Sequence, residues 1–229
     1  MSTRSTSQTH SSTWFKILHG LLIIGAIGAF IVVSLYGVVA LSQFLPQTSD
    51  KSYWFISRSS GVLAYILLTL GVMWGLIQSG AILRPTIPPL LALGLHSFLN
   101  WGALAMSALH GLILLGDNFI KLSLKDVAIP FASSYEPMLV GLGVLSFYLM
   151  FLLSSSFYAR KWLGQKTFRL LHYASYPTFL LVTWHSIGLG TDNSVLMPLY
   201  EVSLTAVAFL TIWRIVNTRQ AAKTPARRS

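Results

Sequence analysis

Six long apolar stretches restrict the fold of this 229-residue chain more than any other feature. Each is near the length of about 20 residues that a helix needs to cross the hydrocarbon core of a bilayer. The chain is 54% hydrophobic and 10% charged, whereas a soluble domain carries about 25% charged residues. Lipid offers the backbone no hydrogen-bond partners, so a span must be a helix or part of a closed barrel. The predicted spans are residues 17–41, 60–79, 88–115, 138–158, 168–189 and 197–216.

We therefore predict an all-α fold, a polytopic membrane protein built as a six-transmembrane-helix bundle. The apolar–polar alternation over about ten residues that marks a barrel strand is absent. We expect residues 1–16 to form a disordered Ser/Thr-rich tail, residues 17–216 to form one membrane domain, and residues 217–229 to form a basic tail. The first apolar run exceeds the about 7–15 residues of a secretory signal, so we expect it to remain as a helix.

The placement of charge predicts the orientation of the chain. The net charge is +10, with 16 Lys and Arg residues. If the N-terminus is cytoplasmic, twelve of these 16 lie inside and four lie outside. Such a positive-inside bias predicts a plasma-membrane protein with both termini in the cytoplasm. The charge is thereby explained by membrane lipid and topology, and no nucleic-acid partner is expected.

Four histidines lie inside apolar spans, His96 and His110 in the third and His172 and His185 in the fifth. A polar ring is costly in hydrocarbon and usually serves a function there. Fourteen residues rotate a helix by about 1400°, which is about 40° short of four turns, and advance it by about 21 Å. His96 and His110 therefore share a face and cannot bind one metal ion, but they can bind two cofactors at two depths.

The two spans run in the same direction, so their histidines pair by depth. His96 is paired with His172 at the inner level. His110 is paired with His185 at the outer level. Each pair offers two axial nitrogens to a porphyrin iron, whereas zinc takes about four protein ligands. The chain has no cysteine, which excludes covalent c-type attachment and iron–sulfur clusters, and the predicted cofactors are two heme b.

The 13-residue spacing of the second pair requires a distortion. It corresponds to about 1300°, which is about 140° out of phase on an ideal helix. Pro177 lies between His172 and His185, and a proline removes a backbone bond and kinks a helix. We expect this kink to turn both rings inward. The alternative for each of the four histidines is a polar bond to a neighbouring helix.

Three segments resemble the ferric reductase-like transmembrane domain family, and the similarity covers roughly residues 55–215. The family includes ferric reductases, NADPH oxidases and the heme subunit of the periplasmic methionine sulfoxide reductase system. The resemblance implies a six-helix bundle with two b hemes on spans three and five and electron transfer through the membrane. The segments are Leu95-His96 through His110-Gly111, Arg169-Leu170-Leu171-His172-Tyr173 through His185, and Ser57-Arg58-Ser59-Ser60-Gly61.

Ferric reductases and NADPH oxidases carry a flavin and nicotinamide domain after the last span, where this sequence has only residues 217–229. We therefore expect a separate flavoprotein or a quinol as electron donor. The expected external acceptor is ferric ion, oxygen or a soluble oxidoreductase. Arg58 either binds heme propionates or anchors the helix at the membrane interface. Arg84 and Arg169 are weaker propionate candidates on the inner side, where a role as topology charges is favoured.

Other residues near the histidines have two interpretations. Phe98, Trp101, Phe179 and Trp184 either pack against the hemes or belong to ordinary bundle packing. The glycines of spans two and four, Gly71, Gly75, Gly141 and Gly143, favour close packing of helices.

Two other functions remain open. One is a heme-free transporter that uses its histidines for protons or metal ions. The other is a heme-bearing anchor subunit without turnover.

Overall fold

A computed structural model describes residues 52–80, 88–117 and 120–223. All regular structure in these ranges is helical, with no strand, which confirms the all-α prediction. A short 3₁₀ turn, Leu114–Gly116, extends the second helix. The helices are α1 (Ser52–Ser79), α2 (Pro89–Ile113), α3 (Leu124–Ala128), α4 (Pro137–His172), α5 (Ser175–Leu189) and α6 (Asn193–Lys223).

Four of the described segments are long and apolar enough to cross a membrane, as expected of a multi-pass membrane protein. They contain the predicted spans 60–79, 138–158 and 197–216, and all but the first residue of the predicted span 88–115. The predicted first span, 17–41, lies outside the described residues, as do the tail 1–16 and Arg84. The count of six spans is therefore not confirmed. The four segments are Ser52–Ser79, Pro89–Gly116, Pro137–His172 and Asn193–Asn217.

The predicted fifth span, 168–189, is divided in the structure. Its first residues belong to α4, which ends at His172, and its remainder is the 15-residue helix α5. Pro177 has no N–H to offer the carbonyl of Tyr173, four residues earlier. The N–H of Tyr176 bonds that carbonyl instead, at 3.2 Å, and the N–H of Ala174 bonds Leu171, at 2.9 Å. These are 3₁₀-type bonds, which rotate the chain by about 120° per residue instead of about 100°.

A second break lies inside α4. Gly164 has φ +75° and ψ 157°, so two helical segments meet at this residue. Glycine adopts a positive φ without the steric cost that a side chain would bring. The sequence predicted a loop between spans four and five, and the structure reduces it to this one non-helical residue.

The core of the bundle lies around α1, which packs against α2, α5 and α6. Tyr65 of α1 is 1% exposed and stacks on Phe179 of α5, with 6.1 Å between ring centroids. Tyr200 of α6 meets the same tyrosine edge-on at 5.0 Å. Large apolar side chains cover the outer faces, as expected for helices in lipid; examples are Leu170, Trp184, Val202, Phe209 and Ile212.

Candidate functional site

The structure brings the four histidines together as two pairs. His96 of α2 faces His172 at the end of α4, with 6.1 Å between ring centroids and 63° between ring planes. His110 of α2 faces His185 of α5, also at 6.1 Å, with 85° between planes. We call these the 96/172 site and the 110/185 site. The bend at Tyr173–Ala174 lies between the two histidines of the distorted span, where Pro177 predicted it.

Each pair lies in a cavity of its own. The cavity at the 96/172 site has a volume of about 420 Å³ and that at the 110/185 site about 410 Å³. Leu68 of α1 and Met150 of α4 line both cavities and are each 5% exposed. These two side chains therefore form a partition between the sites.

Both rings of the 110/185 site are held by backbone carbonyls. Nδ1 of His110 donates to the carbonyl of Ser57 at 2.7 Å, and Oγ of Ser57 lies 3.1 Å from the same nitrogen. Nδ1 of His185 donates to the carbonyl of Leu139 at 2.8 Å. A proton on Nδ1 leaves Nε2 of a neutral imidazole as an acceptor or metal ligand. The two carbonyls belong to α1 and α4, so neighbouring helices fix each ring.

The 96/172 site is held less completely. The ring of His96 bonds the backbone carbonyl of Gly71, and Nδ2 of Asn100 lies 3.3 Å from its Nδ1. Nδ1 of His172 is buried and has no hydrogen-bond partner among the described residues. Phe168 stacks on this ring at 5.5 Å. Packing, rather than a hydrogen bond, therefore orients His172.

Glycines make room for three of the four rings. A Cβ at Gly143 would lie 2.6 Å from Cε1 of His185. A Cβ at Gly61 would lie 2.9 Å from Nδ1 of His110, and one at Gly75 would lie 3.1 Å from Cε1 of His96. The sequence predicted that Gly75 and Gly143 serve helix packing; in the structure what packs on them is a histidine ring.

Arg58 lines the 110/185 cavity, where the sequence placed it as a propionate candidate. Its guanidinium forms a salt bridge with Asp192 and donates to Thr191. It also lies over the ring of Trp54, 4.8 Å from the centroid. Arg58 is thus already paired, and its binding of propionates stays a prediction.

Among the described residues, three arginines line the 96/172 cavity, namely Arg160, Arg169 and Arg214. The sequence named only Arg169 of these. Arg160 and Arg214 are far apart in the sequence, on α4 and α6, and only the fold brings them to the same cavity. Their positions in the sequence and their charge alone could not have identified Arg160 and Arg214 as residues that line this cavity.

The aromatic candidates lie in three places, namely the wall of one cavity, the core and the surface. Trp101 lines the 96/172 cavity. Phe179 belongs to the core at 1% exposure, and Phe98 packs against that core. Trp184 is 61% exposed on the surface of the bundle, where it cannot pack a cofactor in either cavity.

The connection between α2 and α4 contributes part of the wall of the 110/185 cavity. Ile120, Leu122, Val127 and Tyr135 line the cavity from this side. Ser123 is the N-cap of α3 and forms a capping box with Asp126. The N–H and Oγ of Ser123 both donate to Asp126 Oδ2, each at 2.7 Å. The hydroxyl bond, followed by the backbone bond, lowers the pKa of the Asp126 carboxyl.

Comparison with known proteins found no matching family model and no similar curated protein or solved structure. The resemblance to the ferric reductase-like domain therefore stays a prediction. Among the described residues, no group of three or more His, Cys, Asp or Glu side chains could hold a bare metal ion. Each site therefore offers two ring nitrogens.

Proposed function

We propose that this chain is a di-heme b-type cytochrome that moves electrons across a membrane. The donor is a cytoplasmic flavoprotein or a quinol, and the acceptor is an external ferric ion, oxygen or soluble oxidoreductase. The proposal makes the chain a ferric reductase-like component. The observation that carries it is the pairing of four histidines into two sites, each with rings 6.1 Å apart beside its own cavity.

The separation of the rings fits two imidazoles on opposite sides of one iron. An imidazole nitrogen binds a transition metal at about 2.0–2.1 Å, which puts the centroids of two such rings about 6 Å apart. The same separation at both sites supports one type of cofactor at both. His96 and His172 would ligate one iron, and His110 and His185 the other.

The bonds of the ring nitrogens support ligation too. A histidine that binds a metal usually donates its other N–H to a carbonyl or carboxylate, which fixes the tautomer and the ring plane. His110 and His185 donate Nδ1–H to the carbonyls of Ser57 and Leu139. His96 bonds the carbonyl of Gly71. These bonds favour Nε2 as the ligand atom in the 110/185 site.

The bundle also supports transfer between the sites. Heme, when bound, supplies one-electron oxidation and reduction at its iron. The residues of this chain hold the two sites about 21 Å apart along α2, and the cavities meet at Leu68 and Met150. These two buried apolar side chains would exclude water from the space between two bound hemes.

Transfer across a bilayer is the direct test. The protein is reconstituted into liposomes that hold ferricyanide in the lumen, with a flavin reductase, flavin and NADPH added outside and valinomycin with potassium to balance charge. We expect the wild-type protein to bleach the trapped ferricyanide well above protein-free liposomes. His96→Leu and His185→Leu should both fall to that background, because each removes one of two sites in series.

Trp184→Leu is the matched control, because Trp184 neighbours His185 in sequence but lies on the exposed surface. It should transfer electrons at the wild-type rate. Histidine variants that keep that rate would exclude the electron-transfer proposal. Wild-type protein that folds and inserts without heme would leave the transporter as the function to pursue.

A further inference from the structure

The two cavities differ in the charge of their walls. Three arginines line the 96/172 cavity, and among the described residues no Asp or Glu does. In the 110/185 cavity Arg58 is the only Lys or Arg among the described lining residues, and Asp192 pairs with it. The first cavity thus has a positive wall, while the charge in the second is neutralised.

Aromatic side chains and a hydroxyl support the arginines of the 96/172 cavity. Arg214 lies 5.9 Å from the centroid of the Tyr173 ring, and its Nη1 donates to the hydroxyl of Tyr176 at 3.4 Å. Arg160 lies 5.0 Å from the centroid of Phe157. Cation–π contacts of this type orient a guanidinium without neutralising its charge. Arg214 is also close enough to His172 for the two to interact electrostatically.

A ligand that fills this cavity must bring negative charge close to the histidines. Guanidinium groups bind carboxylates and phosphates through paired N–H donors, with stronger hydrogen bonds than neutral donors form. Heme carries two carboxylates on one edge of the porphyrin. A soluble donor could instead bring a phosphate.

We propose that Arg160, Arg169 and Arg214 bind the two propionate carboxylates of the heme in the 96/172 site. This inference rests on the proposed function and extends it, because it fixes the edge of the porphyrin that faces α4 and α6. It also makes the 96/172 site the one that selects its cofactor by charge. The 110/185 site then holds its heme mainly through the histidines and apolar walls.

The test compares heme with its dimethyl ester, in which both propionates are uncharged. Apoprotein is titrated with each compound, and the two sites are assigned in single-site His110→Leu and His172→Leu proteins. We expect Arg214→Gln, Arg169→Gln and Arg160→Gln each to lower heme affinity at the 96/172 site about tenfold, as loss of a charged hydrogen bond does. The triple Gln variant and the wild type should bind the ester equally.

Lys161→Gln and Lys166→Gln are the charge-matched controls, since both lysines are exposed on the same segment and line neither cavity. They should bind heme as the wild type does. Retention of the 110/185 heme in the arginine variants shows that these variants fold.

Three results would overturn the assignment. Arginine variants that match the lysine controls would remove it while the di-heme proposal stands. Equal losses for heme and ester would reduce the arginines to a structural role. Unchanged heme affinity, with inorganic phosphate stabilising the wild type but not the triple variant against heat, would assign the arginines to a phosphate ligand. Wild-type protein that binds no heme would instead contradict the proposed function itself.

Discussion

The 110/185 and 96/172 sites share one ring separation, 6.1 Å, but not one way of holding the rings. In the 110/185 site both histidines donate to a backbone carbonyl and both rings lie against a glycine. In the 96/172 site only His96 has these two supports, and Nδ1 of His172 has no partner among the described residues. The contacts that set the separation of two histidine rings are therefore different from the hydrogen bonds that fix the orientation of each ring.

The two sites differ in how far the protein alone orients the histidine rings. Neighbouring helices orient the rings of the 110/185 site before any cofactor binds. The 96/172 site instead has a wall of arginines, and under the proposed function the charge of the cofactor would contribute to its binding. We expect the first site to be the more rigid and the second to depend more on the bound group.

The largest expected effect comes from Gly143→Ala in the 110/185 site. The new Cβ would lie 2.6 Å from Cε1 of His185, and the ring cannot move without losing its bond to Leu139. Overpacking of this kind costs about 1–3 kcal/mol, or about 10- to 100-fold in heme affinity. Heme titration should show a weakened 110/185 site and an unchanged 96/172 site.

Gly94→Ala is the control for this substitution, because no heavy atom lies within 4 Å of the added Cβ and Gly94 lines neither cavity. It should bind heme at both sites as the wild type does. Equal heme affinity in Gly143→Ala and the wild type would show that the ring of His185 is not held tightly against α4. That result would break the comparison between the two sites.

The second effect concerns the order in which hemes leave. Loss of a partner to the second nitrogen of a metal-binding histidine typically costs 10- to 100-fold in affinity. In a variant that combines Arg160→Gln, Arg169→Gln and Arg214→Gln, the arginine wall no longer contributes, and we expect excess apomyoglobin to remove heme from the 96/172 site about tenfold faster than from the 110/185 site. Absorbance traces of single-site His variants in the same background would assign the phases. Equal rates would mean that the missing hydrogen bond does not weaken the 96/172 site.

A smaller effect is expected from Gly75→Ala. Its Cβ would lie 3.1 Å from Cε1 of His96, a contact that a shift of a few tenths of an ångström relieves. Heme affinity at the 96/172 site should fall only a few-fold, in line with the lower end of overpacking costs, about 1 kcal/mol. A loss as large as that of Gly143→Ala, measured in the same titration, would show the two sites to be equally rigid.

The smallest effect is expected from Ser57→Ala. The hydroxyl lies 3.1 Å from Nδ1 of His110, but the carbonyl of the same residue keeps its 2.7 Å bond. Because the stronger partner remains, heme affinity at the 110/185 site should change by less than about tenfold, below the cost of a full neutral hydrogen bond. A larger loss would identify the hydroxyl as the main support of His110.

Much of the fold followed from apolar length, since four predicted spans match four helical segments of membrane-spanning length to within one residue or lie inside them. The spacing of the histidines and the shared direction of the two spans predicted which histidines meet. Pro177 predicted the bend between His172 and His185. The sequence could not predict that the carbonyls of Ser57 and Leu139 accept hydrogen bonds from the histidine rings. Every residue carries a carbonyl, and only the packing of the helices decides which one meets a ring. The same holds for Arg214, which approaches His172 from another helix.

Cofactor content tests the central claim most directly. The protein is purified in detergent, and heme is quantified by pyridine hemochromogen together with a dithionite-reduced minus oxidised spectrum. The account predicts two b hemes per chain, with one lost in His172→Leu and one in His110→Leu. A folded protein with no heme, or with two hemes in either variant, would contradict it.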